Sequence, residues 1–366
     1  MQSNTTLLQS FIPYLTGLLT TMALIVMLSP LAHRIGLVDA PHGHKQHQGE
    51  VPLVGGVAMF SGFLFAVLAI PMPLSAFRPL FAGAAVVLIV GLLDDFHELR
   101  PNTRFAAQIG AGLLMILWGH QTILDLGPLV GDWAVQTGIW ATPFTLFSVV
   151  GVMNALNMQD GIDGLAGGQA ALAFLVLGAL AFGGGAPIHG TLLLTLASVT
   201  LGFLAYNIQV PGRARALVFM GDAGSLFLGF ALAWFVVDLS QVPDRVLAPV
   251  TALWVLAIAL MDTVCIMLRR LSRGRSPFLA DREHLHHLLQ ALGFGVSRSV
   301  GLTLALSAVL AGIGYLAQRN GIPDRYMFGA FLGMFATYVV TIELTWRHLN
   351  ARHPVIPEEA EQYPWP

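Results

Sequence analysis

The chain has 366 residues, of which 55% are hydrophobic and only 10% charged, and its mean hydropathy is +0.72. A soluble domain carries roughly 25% charged residues, so this composition excludes an ordinary soluble fold. The net charge of −2, with no basic block, gives no reason to expect a nucleic-acid partner, and a single cysteine, Cys265, excludes a disulfide framework and any multi-cysteine metal site.

A helix needs about 20 mostly apolar residues to cross the hydrocarbon core. Apolar runs between charged or Pro/Gly-rich breaks predict eleven segments, near 11–31, 52–72, 77–93, 105–121, 138–156, 166–183, 188–206, 217–238, 246–268, 299–317 and 325–347. The first ten residues hold no Lys or Arg and no cleavage site follows, so no signal-peptide pattern opens the chain. Lys and Arg set the orientation. Only Arg78, Arg245, Arg319 and Arg325 fall in loops after even-numbered segments; the other fourteen of the 18 follow odd-numbered ones. The expected fold is therefore all-α, a polytopic integral membrane protein of about eleven transmembrane helices. Its N-terminus is expected outside and its C-terminus in the cytoplasm. Residues 1–350 are expected to form one domain and 351–366 an acidic, Pro-rich, disordered tail.

On this arrangement the polar clusters at 42–50, 94–104, 154–163, 207–215 and 269–287 all face the cytoplasm, and the opposite loops are short or bland. A transporter would show polar groups at mid-membrane and two related halves; neither is visible.

Four loops carry chemistry. Gly91-Leu-Leu-Asp94-Asp95-Phe-His97-Glu98 sets two adjacent carboxylates and a third within one turn, suited to a divalent cation, to a general base or merely to a solvated helix end. In Asn154-Ala-Leu-Asn157-Met-Gln-Asp160-Gly161-Ile-Asp163-Gly164 four amide or carboxylate side chains recur three apart, on one helical face. Such groups flanked by membrane spans are costly unless something polar binds them, and hard oxygen donors suit Mg²⁺. Phe219-Met-Gly221-Asp222-Ala-Gly224-Ser225 opens the eighth segment, where Asp222 is either a ligand or an N-cap. Asp281-Arg282-Glu283-His284-Leu-His286-His287, with Arg269, Arg270, Arg273 and Arg275 nearby, suits phosphate, a metal such as zinc, or anionic head groups.

Together with Gly36-Leu-Val-Asp39-Ala-Pro, His47-Gln-Gly and Pro52-Leu-Val-Gly-Gly56, these loops resemble, in order and spacing, the polyprenyl-phosphate N-acetylhexosamine-1-phosphate transferases, most closely the WecA type. The resemblance runs from about Gly36 to Phe294. It implies Mg²⁺ (with Mn²⁺ as a substitute) held by Asp222 and Asn157. It implies Asp94 as the base toward the lipid phosphate, supported by Asp95, with Asp160 and Asp163 lining the nucleotide pocket. Phe219 stacks on uracil, Asn207 contacts it more loosely, and Lys45 and Arg104 lie near phosphate. Arg282, His284, His286 and His287 read the sugar or its phosphate. The implied substrates are UDP-GlcNAc and undecaprenyl phosphate, on the cytoplasmic face of a bacterial inner membrane, with a homodimer left open. The MraY type is the alternative within the family, but its usual Thr-Met-Gly-Gly loop and consecutive histidine triplet are replaced here by Pro52-Leu-Val-Gly-Gly and His284-Leu-His-His. Glu98 and Arg104 stand where an Asp and a Lys are commoner. Direct attack is favoured over an aspartyl-phosphate route, since no Asp stands out as an isolated nucleophile.

Overall fold

A computed structural model describes residues 2–39, 49–241, 245–274, 276 and 283–352. Lys45 and Arg282, both expected near phosphate, lie outside the described residues, as does the tail from residue 353. The helices are α1 (Gln2–Ile35), α2 (Gly55–Val67), α3 (Arg78–His97), α4 (Pro101–Leu117), α5 (Ala141–Met158), α6 (Leu165–Gly183) and α7 (Pro187–Asn207). They continue with α8 (Gly221–Gln241), α9 (Pro249–Val255), α10 (Ala257–Ser272), α11 (Leu285–Ala291), α12 (Val296–Arg319) and α13 (Asp324–Arg352). The described strands, β1 (Val38–Asp39) and β2 (Val51–Pro52), form one antiparallel ribbon.

Each of the eleven expected segments holds a helix. Among the described residues eight are long and apolar enough to cross a membrane, or nine if α9 and α10, bent by 82° at their junction, count as one span. At 13 and 17 residues, α2 and α4 fall short of that length. The protein is an all-α, multi-pass membrane protein. Proline opens α3, α4, α7 and α9 in the first turn, where its missing N–H costs nothing.

At the centre stands α8, packed against α2, α3, α5 and α6. Its most apolar 18-residue window is 94% buried. Phe227, Phe230, Trp234 and Phe235 fill the core around it. Lipid and side chain are equally apolar, so close approach of small residues, rather than exclusion of water, must hold such helices together. Gly56 lies against the backbone of Gly224, and Gly91 against that of Ala223, leaving no room for a Cβ at either position. Both contacts sit at the N-terminal end of α8, which therefore meets α2 and α3 at backbone distance.

The alternation of helix direction gathers the C-terminal ends of α3, α5 and α7 with the N-terminal ends of α4, α6 and α8. The opposite end is less bland than its loops suggest. There Asp238, 6% exposed, accepts from Gln121 Nε2 at 2.7 Å and lies 3.0 Å from His189 Nε2. Asp125 pairs with Arg245 there as well. Asp238 is part of α8, and its partners come from α7 and from the loop after α4, which a loop inventory cannot show.

Candidate active site

Helix α3 ends in a left-handed turn at Glu98 (φ 46°). That turn brings the Leu99 N–H back onto Asp94 Oδ1 at 2.6 Å. The other oxygen of Asp94 lies 3.0 Å from Arg104 Nε, in the first turn of α4. The same guanidinium reaches Asp222 Oδ1 and Asn157 Oδ1, each at 3.3 Å. Asn157 in turn donates to Asp222 Oδ1 at 2.6 Å and to Ser225 Oγ at 2.9 Å. Asp94, Asn157 and Asp222 thus converge on one cation, contributed by three helix ends.

Asp95 is used differently. Its carboxylate accepts the N–H groups of Asp222 at 2.7 Å and Ala223 at 3.2 Å. It therefore caps the N-terminus of α8, supplying a negative charge where the helix dipole is positive. Gly221 has φ +66°, and a Cβ there would run into this carboxylate. Only glycine satisfies both constraints.

The loop after α5 lies beside this cluster. The Asp160 side chain makes no hydrogen bond or ion pair with a described residue, and burial, then the charges of Asp222, Asp95 and Asp163, push its pKa well above the usual carboxylate range. Asp163 accepts from Gln209 Nε2 and from the Ala216 N–H, both at 2.9 Å. Asn207, 3% exposed, is engaged at both ends, accepting the Gly164 N–H at 2.8 Å and donating to the Val218 carbonyl at 2.9 Å. It ties the turn before α6 to the segment before α8. Phe219 is half-buried beside it, with its own backbone paired to Pro52 and Gly55.

A second cluster adjoins the first. His284 and His286 stack with ring centroids 5.4 Å apart, and His287 lies 4.2 Å from His286. His286 is 1% exposed with neither ring nitrogen hydrogen-bonded. Burial, then the neighbouring histidines, lower its pKa to about 3, so the ring is neutral. Its Nε2 faces Gly161, where a Cβ would stand 2.8 Å away. Two of the arginines expected to grip phosphate are otherwise occupied: Arg269 lies 3.1 Å from both Glu283 and Glu343, and Arg273 lies 2.7 Å from Glu283. These pairs anchor the loop to α10 and α13.

Two residues to which the motifs assign no role join this cluster. Gln159 donates from Nε2 to Asp262 Oδ2 at 2.8 Å, and Asp262 binds His284 Nδ1 at 2.7 Å. The available signal was a lone carboxylate inside the apolar stretch 246–268.

Residues 77–240 match the family model described as Glycosyl transferase family 4, a stretch that includes Asp94, Arg104, Asn157 and Asp222. A relative from Escherichia coli (strain K12), named undecaprenyl-phosphate alpha-N-acetylglucosaminyl 1-phosphate transferase, is 37% identical over 320 residues, 87% of this chain and 86% of its own. Relatives of the same name from Yersinia pestis and Haemophilus influenzae are 37% and 35% identical, covering 90% and 93% of this chain and 90% and 95% of their own. The chain belongs to this transferase family. Membership agrees with the resemblance its motifs carry, and makes the protein a glycosyl-1-phosphate transferase.

The donor atoms can be tested against a metal. Among the described residues no group of three or more His, Cys, Asp or Glu is placed to hold one. Here, however, the third donor is an amide: two carboxylates and one amide oxygen already surround a cationic group. Hard oxygen donors of this number fit Mg²⁺, which completes its shell with water and substrate phosphate.

Proposed function

We propose that the protein transfers GlcNAc-1-phosphate from UDP-GlcNAc to undecaprenyl phosphate, releasing UMP. The observation that carries this reading is the convergence of Asp94, Asn157 and Asp222 on one cationic position, in a chain whose relatives are named for that transfer. Mg²⁺, or Mn²⁺ in its place, would be held by Asp222 and Asn157, and when bound it neutralises the diphosphate and the charge that develops on UMP. Two anionic substrates then meet in a site that supplies compensating charge, so catalysis is mainly positioning and electrostatics.

Asp94 accepts the Leu99 N–H on one oxygen and lies against the Arg104 guanidinium with the other. Arg104 turning to the arriving phosphate would free one oxygen of Asp94 to take the proton of the lipid phosphate. An oxygen of that phosphate attacks the β-phosphorus in line, and the bond to the UMP oxygen breaks. Phe219 and Asp163 would hold the uridine, Asp160 would line the same pocket, and the histidine loop would hold the sugar-phosphate. The Lys and Arg asymmetry supports a site on the cytoplasmic face of a bacterial inner membrane, and the reaction would be the first membrane step of a cell-surface polysaccharide.

The test is UMP release by detergent-purified protein. UMP release from UDP-GlcNAc that needs both undecaprenyl phosphate and Mg²⁺ supports the reading, and a preference for UDP-GalNAc or UDP-MurNAc-pentapeptide would reassign the donor. No UMP from any UDP-sugar, with folded protein, overturns it.

A further inference from the structure

Asp262 lies on α10, six residues past the bend that separates it from α9, and is 2% exposed. A carboxylate inside a membrane-spanning segment is costly and needs strong compensation. Asp262 has it: its oxygens accept from His284 Nδ1 at 2.7 Å, the Leu285 N–H at 2.9 Å, Gln159 Nε2 at 2.8 Å and Tyr338 Oη at 2.8 Å. A carboxylate offers about four lone-pair sites, and all are filled. The donors come from the histidine loop, the start of α11, the residue just after α5, and α13.

Two consequences follow for the site. With three other donors on an acceptor-only carboxylate, His284 must present its Nδ1–H to Asp262. The tautomer is thereby fixed, and Nε2 is the nitrogen turned away from the carboxylate. The His284 ring then stacks on His286, whose Nε2 faces Gly161 between Asp160 and Asp163. Meanwhile the end of α5 reaches both clusters, Asn157 joining Asp222 and Gln159 joining Asp262.

We propose that Asp262 is a positioning residue for the transfer: it sets the tautomer and place of His284, and so seats the histidine loop against residues 159–164, without touching substrate. The proposal rests on the reading of that loop as the part that holds the donor's sugar-phosphate. A merely structural knot would lower stability whether or not His284 is present. A positioning residue acts only through His284.

The experiment is a double-mutant cycle on the full-length enzyme in detergent, with radiolabelled UDP-GlcNAc, reading kcat, KM and Tm for wild type, Asp262→Asn, His284→Ala and the double variant. His284→Ala is expected to lower kcat about 100-fold, and Asp262→Asn about 10- to 100-fold with KM for UDP-GlcNAc within about 3-fold. The double variant should then be no worse than His284→Ala alone, because without the ring there is nothing left to position. Losses that multiply in the double variant, or Asp262→Asn turning over within about 3-fold of wild type, overturn the proposal. If Asp262→Asn does not fold, Tyr338→Phe decides: it removes one donor and keeps the carboxylate. A loss in kcat of about 3- to 10-fold that vanishes in the His284→Ala background supports the proposal; no loss, or one that persists there, overturns it. His284→Ala with wild-type turnover would instead sink the reading of the histidine loop, and Asp262 with it.

Discussion

Asp94, Asn157 and Asp222 all direct oxygens at the Arg104 guanidinium. A divalent ion held by Asp222 and Asn157, as proposed above, would compete with that guanidinium for the same oxygens. Arg104→Met should therefore enlarge the rise in Tm produced by Mg²⁺ without substrate, while turnover falls about 100-fold or more; an unchanged or smaller thermal response would show that the two cations do not compete. Asp222→Ala removes the group shared by Arg104 and Asn157, and should abolish UMP release while the protein still inserts and folds; wild-type activity would remove the metal-site assignment. His286 makes a prediction about pH. Its folded-state value near 3 lies below the unfolded value of about 6.5, so it contributes stability above pH 6.5 that is lost as pH falls toward 3. The stability of wild type relative to His286→Leu should thus drop by about 2 kcal/mol between pH 8 and pH 5, and a gap independent of pH would show that the ring is not held neutral. Asp222 and the Asn157 face were legible in the sequence through motif and spacing. The work of Asp95 was not: an adjacent pair reads as one unit, whereas the two carboxylates point to different helices.

At the scale of elements, the site depends on how closely α3 and α8 approach. Gly91 lies one turn before Asp94 and against the Ala223 backbone, so a methyl group there must push α3 away from the end of α8. Gly91→Ala should lower kcat at least 10-fold and also lower Tm, without altering any polar residue. Unchanged turnover would show that the Asp94–Asp222 geometry tolerates the shift. The apolar segments were legible because length and composition are local properties. The bend between α9 and α10 was not, because the stretch 246–268 reads as one continuous apolar run. The arginines near the histidine loop show the same limit: as a sequence cluster they suggest phosphate, but Arg269 and Arg273 meet Glu283 and Glu343, the latter 74 residues beyond Arg269.

For the molecule as a whole, orientation is the property with the largest consequence, because it decides which compartment supplies the nucleotide sugar. Single cysteines at Asp132 and at Gly212, in a Cys265→Ser background, should separate the two faces. In intact cells a membrane-impermeant maleimide is expected to label the cysteine at 132 and to spare that at 212 until the membrane is opened; the reverse pattern would invert the assignment. Both residues are exposed, one on each side of the bundle. The sequence by itself determined that the chain is an apolar helical membrane protein, and its motifs pointed to a polyprenyl-phosphate transferase. It could do so because hydropathy, segment length and motif spacing are written along the chain. Only the tertiary structure decided what each polar side chain does. Asp95 caps a helix 127 residues away, and Gln159 reaches Asp262 across 103. A buried polar group takes whichever partner the packing of helices brings within hydrogen-bond distance, and distance along the chain carries no record of that choice.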